Sequence, residues 1–315
     1  ASAAPDSNSA DPSAAQAKPA SFTSASAGAC LTWSLAADGS ASGFEQVSCG
    51  EPHRFEVSTR EDLSAYPTSE FGPNAERPDV TRQNALREEL CESPTVSYLE
   101  GKWDPNGRYD IASILPPAES WEQGDRTLLC GLQTTDAAGV PQESTGKVSQ
   151  VDQAVVAQPG ECRRVDDQNV LTTVPCAEPH QLETVSIINV AQQFPGGYPA
   201  DADMDAFIQD TCTQNSMDYL GGEENLYQST LKPFWGSMSR ESWDAGSRSV
   251  NCSLIHDNAG SFSTLTGSAK DGRDGMTIDG APPTEQPKRN PLRDPNSQPA
   301  GASPSAAPTA DAPAQ

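Results

Sequence analysis

The stretch "CGEPHRFEV", Cys49 to Val57, returns much later as "CAEPHQLET", Cys176 to Thr184. Cysteine, glutamate, proline and histidine at one fixed spacing, in two distant places, make the chain read as a duplicated unit. The landmarks around the two stretches agree. Upstream stand "GAC" (Gly28–Cys30) and "GEC" (Gly160–Cys162), and Val-x-Cys-x-Glu-Pro-His begins at Val47 and at Val174. Downstream come Tyr66-Pro67 and Tyr198-Pro199, then Cys91 with Tyr98-Leu99 and Cys212 with Tyr219-Leu220. Both runs close on Glu-Ser-Trp-x-x-Gly-x-Arg, at 119–126 and 241–248, followed by Cys130 and Cys252. The reading is two domains, 28–135 and 160–256, with a linker over 136–159. A lead-in (1–27) and a Pro/Ala/Ser-rich tail (257–315) hold few large apolar residues, so both are expected to be disordered.

Period and punctuation give each copy an α+β fold, an antiparallel sheet packed against a helix. "GFEQVSC" and "HRFEVST" alternate apolar and polar residues, as do "NVLTTVPC" and "HQLETVSIINV". These read as strands that meet at a corner, where Pro52 and Pro179 need donate no ladder bond. "DADMDAFIQDTCTQNSMDYL" sets Met204, Phe207, Ile208, Thr211 and Cys212 on one helical face, with Asp201 or Asp203 as cap. In the first copy Leu86, Leu90 and Cys91 share a face, and Pro94 interrupts the helix or starts its second half. Two strands follow in each copy: "RYDIASILPP" with "RTLLCGLQT", and "KPFWGSM" with "RSVNCSLIH".

Eight cysteines, four per copy, indicate disulfides and an oxidising compartment outside the cytoplasm. If both copies are self-contained and alike, three pairing patterns remain. The favoured one joins Cys30–Cys49 and Cys91–Cys130, with Cys162–Cys176 and Cys212–Cys252, because it ties each helix to the last strand. No run of apolar residues is long enough to span a membrane, and the mean hydropathy is −0.58. A targeting or anchoring segment would lie upstream.

The net charge is −24. Residues 28–140 carry 8 basic against 19 acidic side chains and residues 160–256 carry 5 against 14, so the acid sits on the folded parts. Such a surface repels phosphate backbones and anionic headgroups, which excludes nucleic acid and direct lipid binding.

Several residues suggest chemistry. Cys49 with His53, and Cys176 with His180, have the types of a thiol nucleophile and its base, but an even cysteine count leaves no free thiolate. A zinc site needs three or four ligands, and His53, His180 and His256 are the only histidines. Asp201, Asp203 and Asp205 start like a calcium loop, yet Ala206 and Cys212 stand where glycine and glutamate belong. Glu51, Glu56, Glu119 and Glu122, with Glu178, Glu183 and Glu241, offer carboxylates for glycan hydrolysis. Trp121 and Trp243 suit sugar stacking or the core. The bland reading makes Pro52, His53 and Glu56, with Pro179, His180 and Glu183, a recurring strand corner. On it no catalytic residue, metal or cofactor is expected.

The combination of Gly-x-Cys, Val-x-Cys-x-x-Pro-His-x-x-Glu, a helical cysteine and Trp-x-x-Gly-x-Arg before a last cysteine resembles the septum-formation domain of Actinobacteria, in both copies. The resemblance implies exported or single-pass membrane proteins with the domain outside the membrane, associated with cell division and envelope growth. The family brings no known catalytic residues. The expected function is therefore a non-enzymatic envelope module that binds an envelope or division protein or a wall glycan, the alternative being a glycan hydrolase using paired glutamates.

Overall fold

The structure, a computed structural model, describes residues 23–288. The chain divides between Val151 and Asp152 into two units. The lead-in through residue 22 and the tail from residue 289 lie outside the described residues.

The first unit runs β1 (Cys30–Leu35), β2 (Ala41–Val47), β3 (Phe55–Asp62), α1 (Val80–Leu90), α2 (Glu92–Tyr98), β4 (Asp110–Ile114), α3 (Ala118–Glu122), β5 (Thr127–Thr135) and β6 (Pro141–Gln142). Its sheet has the order β2-β1-β3-β5-β4, every pair antiparallel, with β6 added to β5. The two-residue strand period splits the core between the faces. Leu128, Cys130 and Leu132 of β5 join Leu86 of α1 and Cys91, which stands between α1 and α2. Leu129, Phe55, Val57 and Leu31 pack on the opposite face with Ala25. Gly131 in β5 is required by close approach, since a Cβ there would lie 2.1 Å from the Glu56 carbonyl oxygen. Asp79 caps α1 by accepting from the Arg82 N–H at 2.8 Å. Pro94 falls in the first turn of α2, where a missing N–H costs nothing.

The second unit runs β7 (Cys162–Val165), β8 (Leu171–Val174), β9 (Leu182–Asn189), α4 (Asp201–Leu220), α5 (Glu223–Ser229), β10 (Lys232–Trp235), α6 (Arg240–Ala245) and β11 (Ser249–Ile255). Its sheet order is β10-β11-β9-β7-β8, again antiparallel throughout. Met204, Ile208 and Cys212 of α4 are buried against Val250, Cys252 and Leu254. Ala200, not an aspartate, occupies the helix cap. Asp201 is held instead by the Tyr198 hydroxyl, which donates to its Oδ1 at 2.9 Å. Short strands β12 (Asp257–Asn258), β13 (Ser261–Phe262), β14 (Leu265–Gly267) and β15 (Met276–Ile278) complete the unit.

Four disulfides join Cys30–Cys49, Cys91–Cys130, Cys162–Cys176 and Cys212–Cys252. The fold is α+β. It adds to the sequence reading a first strand in each unit (β1 and β7), which lies between the two strands of the corner.

Three boundaries expected from sequence are corrected. In the lead-in, Thr23 and Ala25 are buried. The expected linker is folded and belongs to both units: Val148 is in the core of the first, and residues from Asp152 onward bind the second. There Asp152 accepts from the Arg248 N–H at 2.8 Å. The Asn251 side chain accepts from the Ala157 N–H at 2.8 Å and donates to the Ala157 carbonyl at 2.9 Å. The expected tail is ordered through residue 288, with Leu265, Ala269 and Met276 in the core. Composition misleads because these segments are held by backbone and side-chain hydrogen bonds plus a few small or isolated apolar residues.

Removing the helix-to-strand bridge by Cys212→Ala with Cys252→Ala is expected to destabilise the second unit by about 4 kcal/mol. This is the loop-entropy cost for a separation of 40 residues. Urea unfolding that shows less than a quarter of this loss would mean that packing alone pins the helix.

Candidate functional site

Each Cys-x-Glu-Pro-His corner is built by its neighbours in the sheet. Cys30 pairs with Val47 on one side and Glu56 on the other, and Cys162 pairs likewise with Val174 and Glu183. After the exposed Pro52, His53 exchanges backbone hydrogen bonds with Ser144 at 2.9 and 2.8 Å. After the exposed Pro179, His180 does the same with Leu265 at 2.9 and 2.6 Å. Both histidines are buried. Their Nδ1 atoms lie 2.8 Å from the carbonyl oxygens of Glu51 and Glu178. A carbonyl only accepts, so Nδ1 carries the proton in each ring.

Three residues beyond each histidine sits a buried carboxylate. Glu56 is 2% exposed and Glu183 0%. Glu56 accepts from the Tyr98 hydroxyl at 2.8 Å and from the Val148 N–H at 2.9 Å. Glu183 accepts from the Tyr219 hydroxyl at 2.6 Å, the Ser268 hydroxyl at 2.8 Å and the Ala269 N–H at 2.8 Å. These donors replace the water that burial removes from a carboxylate. Val148 and Ala269 belong to segments that return across the corner after the last long strand of the unit. Each such strap is also tied to the corner cysteine, through Gly146 N–H to the Cys49 carbonyl (2.6 Å) and Gly267 N–H to the Cys176 carbonyl (2.7 Å). Burial first, and then the bonded carboxylate, push the Tyr98 and Tyr219 hydroxyls well above their ordinary value.

The structure brings Cys30, His53 and Glu56 together, and likewise Cys162, His180 and Glu183. In each set one ligand-type atom per residue lies within 4.8 Å of the others. Every described cysteine is in a bridge, so no thiol stands beside either histidine. His256 is elsewhere, its Nδ1 2.7 Å from the Ser263 hydroxyl. Glu51, Glu119, Glu122, Glu178 and Glu241 are exposed, while Glu56 and Glu183 are sealed beneath their straps.

Trp121 and Trp243 are buried, each with an arginine guanidinium over one ring face, Arg126 at 4.0 Å and Arg248 at 3.9 Å. The Trp-x-x-Gly-x-Arg pattern now has a cause. The tryptophan lies in a short helix, the glycine just after it takes a positive φ (100° at Gly124, 113° at Gly246), and arginine folds back over the ring. Its Nη1 donates to the tryptophan carbonyl in both units. These faces are not open for a sugar.

Sequence reasoning gave no role to Tyr98, Tyr219, Val148, Ser268 or Ala269. Recurrence of Tyr-Leu after the helical cysteine was the available signal for the tyrosines. The strap donors are mostly backbone N–H groups, which leave no mark on a sequence.

Sheets closed by buried carboxylates and stapled by cystines define a disulfide-stabilised α+β protein of an oxidising compartment. The chain belongs to the septum formation family, whose model matches residues 27–252, a span that runs through both units. That family is not a known enzyme family. Two relatives are each described as an uncharacterized membrane protein of Mycobacterium tuberculosis, one from strain CDC 1551 / Oshkosh and one from strain ATCC 25618 / H37Rv. Each is 36% identical over 273 residues, which is 85% of this chain. The chain spans 59% of the length of each relative. No solved structure matches it. Among the described residues no helix is long and apolar enough to cross a membrane.

Tyr219→Phe removes a hydrogen bond to a carboxylate and is expected to cost about 1.5–3 kcal/mol. The pH dependence has a definite sign. A hydroxyl whose pKa is raised on folding keeps its full stabilising contribution below its unfolded value of 10.0, and loses it as pH rises beyond that. Wild-type stability should therefore fall above pH 10, and the Tyr219→Phe curve should fall less steeply. Parallel curves in chemical denaturation would remove Tyr219 from the alkaline transition.

Proposed function

We propose that this chain is the extracytoplasmic, non-catalytic part of a membrane-attached envelope protein, built from two copies of one module and acting in septum formation by binding. The observation that carries this reading is that both copies consume their reactive residue types internally. The cysteines are bridged, both corner histidines are buried, and the two corner carboxylates are covered by their own straps. What remains for partners is a strongly acidic exterior. Membership of the septum formation family and similarity to membrane proteins support the location and process.

The partner is a protein with a basic face, in the envelope or the division machinery. A wall glycan is less suited, because sugar sites rely on exposed aromatic faces and Tyr66 is the one aromatic among the exposed large apolar side chains of the described residues. Binding between an acidic and a basic surface is steered by long-range attraction and is screened by salt.

The test uses the purified, fully oxidised chain against a membrane extract and against isolated cell wall. The expected result is capture of a division or envelope protein with a basic outer surface. That capture should weaken as ionic strength rises, and wall material should neither be digested nor retained. Release of soluble wall fragments that stops in Glu56→Gln with Glu183→Gln would establish the hydrolase instead. Salt-independent retention on wall alone would replace the protein partner with a glycan.

A further inference from the structure

Among the buried side-chain atoms of the second unit left without a hydrogen-bond partner, with Arg163 Nε and Thr184 Oγ1, is a histidine ring nitrogen. His180 is 0% exposed, its Nδ1–H is given to the Glu178 carbonyl, and its Nε2 meets no hydrogen-bond donor. An unmet polar atom in an interior is costly, about 1–3 kcal/mol. An Nδ1–H held by a carbonyl, with Nε2 left as a bare lone pair, is the arrangement that prepares a histidine to bind a metal. The other groups gathered there fit the same purpose. Cys162 Sγ, a Glu183 carboxylate oxygen and a His180 ring nitrogen lie within 4.8 Å of one another. Cys176 Sγ is bonded to Cys162 Sγ. A carboxylate has roughly four acceptor positions, and Glu183 uses three of them. In the oxidised chain the sulfurs are unavailable as thiolates.

We propose that reduction of the Cys162–Cys176 bridge opens a zinc site made of both cysteines, His180 and Glu183, and that Cys30, Cys49, His53 and Glu56 form its counterpart in the first unit. Two thiolates, an imidazole and a carboxylate supply four ligands of the kinds zinc takes in a tetrahedral site. The two sulfurs need only separate to about 3.8 Å, the span set by Zn–S bonds of about 2.3 Å. Zinc then holds the corner and strap in place of the cystine.

Access decides which bridges open. Cys49 and Cys176 are partly exposed, whereas Cys91, Cys130, Cys212 and Cys252 are all 0% exposed. A thiolate must reach a sulfur to attack it, so a dithiol reductant meets the corner bridges first. Its first thiolate attacks Cys176 Sγ, the S–S bond breaks, and Cys162 leaves as a thiolate that takes a proton. The second thiolate of the reductant displaces Cys176 and closes the reductant's own disulfide. Two electrons pass from the dithiol to the cystine. Zinc binding then displaces one proton from each cysteine thiol.

The test treats the full chain with dithiothreitol until mass spectrometry shows the corner cysteines alkylatable and the helix-to-strand bridges intact. The reductant is then removed without air, and Zn2+ or Co2+ is added. The expected result is one metal ion per corner, with Co2+ giving thiolate charge-transfer and tetrahedral ligand-field bands. His180→Ala should leave the first corner loaded and weaken the second by at least about tenfold. Cys176→Ser, which opens the bridge and removes one thiolate, serves if His180→Ala does not fold. Corner-reduced protein that takes up no metal overturns the proposal, as does uptake unchanged by both variants. So does loss of the native circular dichroism on reduction that added zinc fails to restore.

Discussion

A carboxylate in a protein interior is tolerated only where donors surround it, and this fold places one at the centre of each unit. Glu56 and Glu183 lie next to a cystine partner in the neighbouring strand, three residues beyond a buried histidine. Their side chains join three separate pieces of chain: the sheet that carries them, the helical tyrosine, and a strap arriving from the far end of the unit. Without the strap N–H, the carboxylate would be desolvated and partly unmatched. The sheet, the helix and the returning segment are thus held to one geometry by a group that cannot relax into water.

The cystines tie the same framework together covalently. One bridge in each unit fastens the corner to the first strand, and the other fastens the helical segment (the junction of α1 and α2, or α4) to the last long strand. The arginine that lies over the tryptophan in each unit adds a third fixture, since its guanidinium also reaches backbone carbonyls that a lysine could not span in the same way. These devices add to the apolar cores of both units, and they leave the exterior free to carry charge.

The sequence made part of this legible. Alternation in "HRFEVST" and "HQLETVSIINV" marks the central strands, and Met204, Ile208 and Cys212 mark the helix face, because burial of a periodic surface writes itself into residue type. Other parts have no such trace. Strand β7 includes Arg163, only 7% exposed, whose guanidinium reaches Ser253, so a strand of the sheet reads as polar. The straps contain little more than Val148, or Leu265 and Ala269, and bind through their backbone, so they pass for linker and tail. At the corner the histidine and glutamate were visible as a recurring pattern. Their tyrosine partners are 42 and 36 residues away along the chain, and nothing local announces that pairing.

The straps also set when each unit becomes whole during synthesis. Glu56 meets Val148 across 92 residues, and Glu183 meets Ala269 across 86. A chain that emerges from its N-terminus can form the sheet strands and both cystines of a unit before the segment that covers the carboxylate has appeared. Until then the glutamate stays wetted. Closure of the second unit waits for residues beyond the point where the family match ends.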